Sequence, residues 1–417
     1  MSVEISFTLC LVFILLIPTA VAGLSLINVG LGPSRSAAHF MTSSLCVVAV
    51  SLLIYFAFGG AVSQGLYSTP LMALTEPKSP LQPSGIFFHA MPWATVAALP
   101  ALLMLASVAI CSVIPLGAAG VRWRASSASL STVLLAGFIF PIFFRLIATQ
   151  YLASGFPRLP GTLDAGGSGF INVTGGLTAL SITWLLGPRH GKYSLSGIPA
   201  AIPAHNAVYV LFGCMLTWVG WLGLNSAGAM LYAGSGAENS ALVIINTTLS
   251  AAAAALAAAA VTRIRYRRPD ASLIANGWMA GLVASSAGCA TFKPTIAIIV
   301  GLVAGTLVVF SAEWFELRLR VDDPCGSVSV HAVCGLWGLL AVGIFAGIPG
   351  QFMAQIVAIA TLLGFIFPMT YGLNWLLNKF SPYRVSPDGE RQGLDLHELG
   401  ADAYPEFVIH SDEFLQR

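Results

Sequence analysis

DAGGSGFIN, from Asp164 to Asn172, and DPCGSVSVH, from Asp323 to His331, share one frame: an Asp stands eight residues before a polar side chain inside an apolar segment. Gly-Ser follows each Asp at the third and fourth positions, as Gly167-Ser168 and Gly326-Ser327. Gly-Leu follows each centre at the fourth and fifth, as Gly176-Leu177 and Gly335-Leu336. The centres lie 331 − 172 = 159 residues apart. That period is too long for a solenoid unit and fits a half-and-half duplication of the kind that builds transporters around a midplane site.

Composition fixes the solvent. Of 417 residues, 57% are hydrophobic and 9% charged, against roughly a quarter charged in soluble domains. The chain is therefore read as an all-α polytopic membrane protein. A net charge of +2, with the arginines dispersed over short loops, gives no basic face for nucleic acid. The seven cysteines fall mostly in apolar runs without a CxxC pair and read as packing residues, not as a disulfide framework or zinc ligands.

Apolar runs of about twenty residues, the length that crosses the hydrocarbon core, predict eleven spans: 4–26, 37–59, 86–116, 126–150, 165–187, 203–224, 240–262, 272–290, 294–318, 328–347 and 352–378. They divide into repeats over about 4–187 and 203–347 plus a final helix, 352–378. Together these form a transmembrane domain, 1–380, followed by a cytoplasmic tail, 381–417. With the amino terminus outside, 15 of the 19 basic residues fall in inside connections or the tail; Lys78, Arg145, Arg158 and Lys293 fall outside. The positive-inside rule thus predicts an outside amino terminus, an inside carboxyl terminus and residence in the plasma (cell inner) membrane. Ala20-Val21-Ala22 resembles a signal-peptidase site, but the leading MSVEIS carries Glu4 and no Lys or Arg, so the first span is read as retained.

Five spans per half is an odd number, so the second half enters the bilayer upside down and the two copies meet about a pseudo-twofold axis. Eight residues at 1.5 Å per residue is about 12 Å, enough to bring Asn172 and His331 from opposite faces to near the bilayer middle. A lone polar residue in a membrane helix is ordinarily glue between helices. The duplicated frame favours instead a pair lining a narrow pore, where an imidazole can accept, donate or relay a proton. Asp164 and Asp323 read as helix N-caps.

The stretch Asp164 to Arg189, GWLGLNSAGA from Gly220, NTTLSAAAAAL from Asn246 and VDDPCGSVSVHAVCGLWG from Val321 together resemble the ammonium transporter, methylammonium permease and Rhesus glycoprotein family over nearly the whole chain. GLDLHELGADAY, Gly393 to Tyr404 and including Asp395, is similar to that family's regulatory carboxyl-terminal segment, although HELGAD departs from its pattern. The resemblance implies a homotrimer in membrane lipid, with one eleven-helix pore per subunit and a cytoplasmic face that engages PII-type signal proteins. It implies ammonium or ammonia as substrate, with no cofactor or metal.

The family places two facing histidines in mid-channel. His331 matches the second, and Asn172 stands at the first, so a two-imidazole proton relay is not expected: an amide exchanges no accessible proton. The family's outer recruitment site also departs. Leu224 falls at one gate phenylalanine, Gly228 at a site serine, and Pro92 or Trp93 near the other phenylalanine. Trp93, Trp218 and Trp221 are candidate replacement ring faces for a cation, with interfacial anchoring the ordinary alternative for a tryptophan near a helix end.

Several signals have structural explanations. Asn172-Val173-Thr174 and Asn246-Thr247-Thr248 fit the glycosylation sequon but lie inside spans. Arg145 is expected to snorkel. His39, His89 and His205 read as structural, and Glu313 and Glu316 with Arg318 and Arg320 as an ion-paired helix end. No nucleophile-and-base or phosphate-loop motif argues for an enzyme. The expected function is passage of ammonia, recruited as ammonium, past Asn172 and His331. The alternatives are a poorly conducting ammonium sensor or scaffold, and a channel for another small neutral molecule such as carbon dioxide.

Overall fold

The computed structural model describes residues 3–63, 83–89, 91–148 and 159–405. It is helical nearly throughout. The long helices are α1 (Val3–Leu31), α2 (Ser34–Ser63), α3 (Ala98–Ala119), α4 (Ala125–Ile147), α5 (Ser168–Leu186) and α6 (Ala207–Leu231). They continue as α7 (Ala237–Tyr266), α8 (Ala271–Ser286), α9 (Pro294–Leu317), α10 (Val328–Phe345) and α11 (Gln351–Phe380), and a short α12 (Pro387–Gln392) lies in the tail. Among the described residues, ten of these are long and apolar enough to cross a membrane.

The remaining predicted span, 272–290, is α8, a helix of 16 residues or about 24 Å. It ends where Ser168 of α5 inserts its hydroxyl, accepting from Ala287 N–H (2.8 Å) and donating to the Val283 carbonyl (2.7 Å), the pair that a continuing helix would join; Asn246 of α7 holds the turn beyond by donating Nδ2 to the carbonyls of Cys289 (2.9 Å) and Phe292 (2.7 Å). α8 packs between α7 and α9, and most of its residues are buried. The third span also starts later than expected, at Ala98 instead of 86. Phe87 and Phe88 have positive φ (52° and 46°), and Pro92 follows, so the chain turns before a helix can propagate.

Helices at corresponding places in the two halves pack together. α1 lies along α6, and α5 lies against α10. Gly176 and Gly335, each four residues beyond its polar centre, make reciprocal close approaches. A Cβ on Gly176 would overlap the backbone of Ala332, and one on Gly335 would overlap the carbonyl of Ser168 and the side chain of Val173. This is small-residue packing, which lets helix backbones come together where no hydrophobic drive between helices exists. The peripheral helices keep apolar outer faces, with Leu45, Leu53, Leu256 and Val208 each about 70% exposed, as expected for surfaces meeting lipid.

At the end where α1 terminates, charged residues close the bundle. Asp322 accepts from Arg189 Nε and Nη2, each at 2.8 Å, and from the Arg189 backbone N–H at 2.8 Å. Arg122, fully buried, donates to the carbonyls of Ala118, Gly187 and Asp322 and sits 3.8 Å from the Asp322 carboxylate. Burial pulls its pKa down to about 10, so it stays charged at neutral pH. Glu313 and Glu316 do not pair within their own helix end: Glu313 binds Arg265 of α7, and Glu316 binds Lys192 of the α5–α6 connection. α9 stops at Leu317, so Arg320, with φ 52°, is not on the same helical face. All seven cysteines are free, and six of them are buried.

Candidate functional site: the polar pair at the bundle centre

Both polar centres sit in π-helical first turns, Ser168–Val173 in α5 and Val328–Val333 in α10. Such i→i+5 stretches are uncommon and are frequent at functional sites. Each is entered through a glycine with positive φ, Gly167 (84°) and Gly326 (71°), a conformation that an L side chain resists. Each first turn is capped by its aspartate. Asp164 Oδ2 accepts from Gly169 N (2.8 Å) and Phe170 N (3.0 Å). Asp323 accepts from Ser327 N (3.0 Å) and Val328 N (2.7 Å).

Asn172 and His331 are in direct contact: His331 Nδ1 lies 2.8 Å from Asn172 Oδ1. The other half of the amide settles the proton. Asn172 Nδ2 donates to the Gly167 carbonyl at 2.8 Å, and a carbonyl only accepts, so Oδ1 must face the ring and Nδ1 must carry the hydrogen. The imidazole is thereby held as the Nδ1–H tautomer, leaving the Nε2 lone pair without a partner among the described residues. Asn172 is fully buried and His331 is 4% exposed. The pair therefore presents one open acceptor, the Nε2 lone pair of His331, to any donor that reaches it.

An aromatic cluster lies beyond the pair, on the Asp164 side. Phe170, two residues before Asn172, meets Phe144 at 4.8 Å between ring centroids, and Tyr232 stands edge-on to both at 5.3 and 6.2 Å. Sequence reasoning missed these rings. Phe170 lies inside the repeated frame and was visible there, whereas Phe144 and Tyr232 reach it only through the packing of α4 and the end of α6.

The other expected positions sit as follows. Trp221 is fully buried and donates Nε1 to Ser286 Oγ at 2.9 Å, while Leu224 is 1% exposed. Gly228 presses on the Ala165 carbonyl. Trp218 donates to Thr248 Oγ1, and Trp93, 47% exposed, stacks on Phe56 at 6.4 Å. Arg145 donates to the Val62 carbonyl. His39 is buried, and His205 contacts the Gly32 carbonyl and the Tyr404 hydroxyl. Asp395 is fully buried in the tail, and Gly393, with φ 105°, packs on Arg35.

The sequence model described as the Ammonium Transporter Family matches residues 7–404. The chain is 31% identical to the ammonium transporter Amt2 of Archaeoglobus fulgidus, an alignment covering 94% of this chain and 86% of that one. It is 32% identical to Amt1 of Methanocaldococcus jannaschii over 66% of this chain and 70% of that one. Among solved structures, one titled Sensor Amt Protein superposes with a TM-score of 0.83 at 23% identity, covering 95% of this chain and 98% of the other. Candida albicans Mep2 superposes with a TM-score of 0.77 at 20% identity over 97% and 92%.

Proposed function

The chain belongs to the ammonium transporter family, and from that premise we propose that ammonia crosses each subunit through an apolar bore past Asn172 and His331. The observation that carries this reading is the locked contact between His331 Nδ1 and Asn172 Oδ1. It fixes one imidazole acceptor toward the passing molecule. Ammonium transport is the function of the chain, and the protein is not an enzyme. The species that passes the pair, on this proposal, is the neutral one: stripping water from an ion in an apolar wall costs far more than stripping it from ammonia.

Ammonia donates a hydrogen to Nε2 of His331 and moves on, because a single neutral hydrogen bond is weak enough to leave. The proton on Nδ1 faces an amide oxygen, which is not basic enough to take it, so no relay runs across the pair. Transport is therefore expected to carry little charge. Phe144, Phe170 and Tyr232 form the outer constriction in this scheme, and Leu224, Trp221, Gly228 and Trp93 stand around the altered recruitment region.

The wider arrangement follows the same reading. Residues 1–380 form the transmembrane domain and 381–417 a cytoplasmic tail, of which 406–417 lie outside the described residues. The amino terminus faces outward in the plasma membrane, three chains associate through the apolar outer faces, and the tail from Gly393 to Tyr404 meets a PII-type protein. A second reading, a sensor that conducts little, is favoured by the amide at the first pore position.

Purified protein in liposomes decides between them. Stopped-flow pH traces should show ammonia entry above that of empty vesicles, while solid-supported membrane recordings show little ammonium current. A large ammonium-specific current overturns the neutral pathway, and ammonium binding without flux favours the sensor.

A further inference from the structure

The two capping aspartates are held in place by different means. The segment before Asp323 is clamped by charge, through Asp322, Arg189 and Arg122. The segment before Asp164 is clamped by neutral amides from α11, the last of the long helices. Gln355 donates Nε2 to the Leu163 carbonyl at 2.6 Å, and Gln351, one turn earlier, donates to the Gly161 carbonyl at 3.1 Å. Gln355 is 0% exposed and Gln351 1%. The same segment gives the N–H groups of Ala165 and Gly166 to the carbonyls of Ala287 (3.2 Å) and Ser286 (2.9 Å), at the interrupted end of α8. Residues 161–166 thus form a strap tied to α11 at one end and to α8 at the other.

Satisfying polar groups does not by itself call for an amide at 355. Its Oε1 is buried with no hydrogen-bond partner among the described residues, so the glutamine closes the Leu163 carbonyl and leaves its own oxygen open. An apolar side chain would leave no more open acceptors than that. What the amide adds is a fixed place for Leu163, since a carbonyl only accepts and needs a donor to hold it. Leu163 is followed by Asp164, whose Oδ2 takes the Phe170 N–H at 3.0 Å, and the Phe170 ring meets Phe144 at 4.8 Å and Tyr232 at 6.2 Å. Two hydrogen bonds and one peptide therefore link Gln355 to the turn that carries Phe170.

We propose that Gln355, with Gln351 behind it, is a positioning residue that fixes the aperture of the Phe144–Phe170–Tyr232 constriction and so the size of amine admitted. The inference deepens the pore reading above and rests on it for the identity of the passing molecule. With the strap tied, the first turn of α5 keeps the ring spacing that passes ammonia and hinders an amine one carbon larger. With the strap released, Asp164 and that turn loosen together, and the rings no longer sort by size.

Hydrogen exchange of the full chain in lipid nanodiscs reads the strap without relying on flux. Exchange at residues 165–170 should quicken in Gln355→Leu and, to a smaller extent, in Gln351→Leu, whose bond is longer. Residues 328–333, held by Asp323, should exchange as in wild type. Unchanged exchange at 165–170 in Gln355→Leu overturns the proposal.

Stopped-flow pH traces on proteoliposomes given ammonium or methylammonium read the consequence. The ratio of the methylammonium rate to the ammonium rate should rise by roughly tenfold in Gln355→Leu, the low end of what one carbon is worth in a fitted apolar site. A merely weakened fold lowers both rates together and leaves the ratio alone, so an unchanged ratio overturns the sizing role. Where Gln355→Leu does not fold, Gln351→Leu carries the same test with a smaller rise. Wild-type vesicles that pass neither amine, alongside quickened exchange in the variants, count against the pore reading and not against the strap.

Discussion

Asp164 and Asp323 hold their helices in the same way: each carboxylate takes two consecutive backbone N–H groups of the first turn, five and six residues on for Asp164, four and five for Asp323. These donors are orphans of a helix start, and at Asp164 they are buried. Asp164→Ala should therefore lower stability by about 1–3 kcal/mol, the range for leaving buried donors unsatisfied. Asp164→Asn should cost less, since an amide oxygen still accepts. Thermal melting in detergent measures both, and equal melting temperatures for wild type and Asp164→Ala would contradict the capping role.

Asn172→His places a second imidazole beside His331 and removes the amide that fixes the Nδ1–H tautomer. Two rings in contact can pass a proton where an amide and a ring do not. The substitution should raise ammonium-dependent current above the wild-type level in solid-supported membrane recordings. A wild-type current as large as that of the variant would sink the argument that the amide breaks the relay.

Asp322 gives the closed end of the bundle a definite pH dependence. Burial alone would raise its pKa, but the hydrogen bonds from Arg189 and the charges of Arg122 and Arg189 outweigh it, so the folded pKa lies below the ordinary value. A depressed carboxylate contributes stability that is full above the unfolded value of about 4 and is lost as pH falls through the folded one. Asp323 has the opposite sign. Burial raises it to about 6, so its contribution declines as pH rises from about 4 to about 6. Asp322→Asn should flatten the loss of melting temperature below pH 4 and leave the decline between 4 and 6. A variant with the wild-type acid limb would show that the clasp is not its origin.

The sequence carried the membrane helices because a span needs only its own apolar run, and it carried the polar pair because duplication wrote the same frame twice. Features that depend on a partner far along the chain were hidden. α8 is interrupted by the Ser168 hydroxyl from α5, Glu316 finds Lys192 more than a hundred residues away instead of Arg320, and the rings of Phe144 and Tyr232 meet Phe170 from two other helices. The start of α3 failed for a local reason: apolar content around Phe87 and Phe88 reads as a span, while Pro92 and the positive φ values before it prevent one. The tail motif was legible as a segment, but not what its carboxylates hold.

Those carboxylates carry the last prediction. Asp395 accepts from Ala38 N at 3.1 Å and His39 N at 2.7 Å, and Glu398 accepts from Ala125 N at 3.0 Å. One turn of the tail thus caps the α-helical part of α2, which begins at Ala37 after a 3-10 turn, and the amino-terminal end of α4, where unsatisfied N–H groups and the helix dipole favour a negative charge. Asp395→Ala frees two donors and should cost about 1–2 kcal/mol locally, as lost caps do. Hydrogen exchange should quicken at residues 37–39 and along 393–400, leaving the π-helical turns around Asn172 and His331 protected. Glu398→Gln keeps an accepting oxygen and should loosen only residue 125. Unchanged exchange at 37–39 in Asp395→Ala would mean that the tail rests on α2 without holding it.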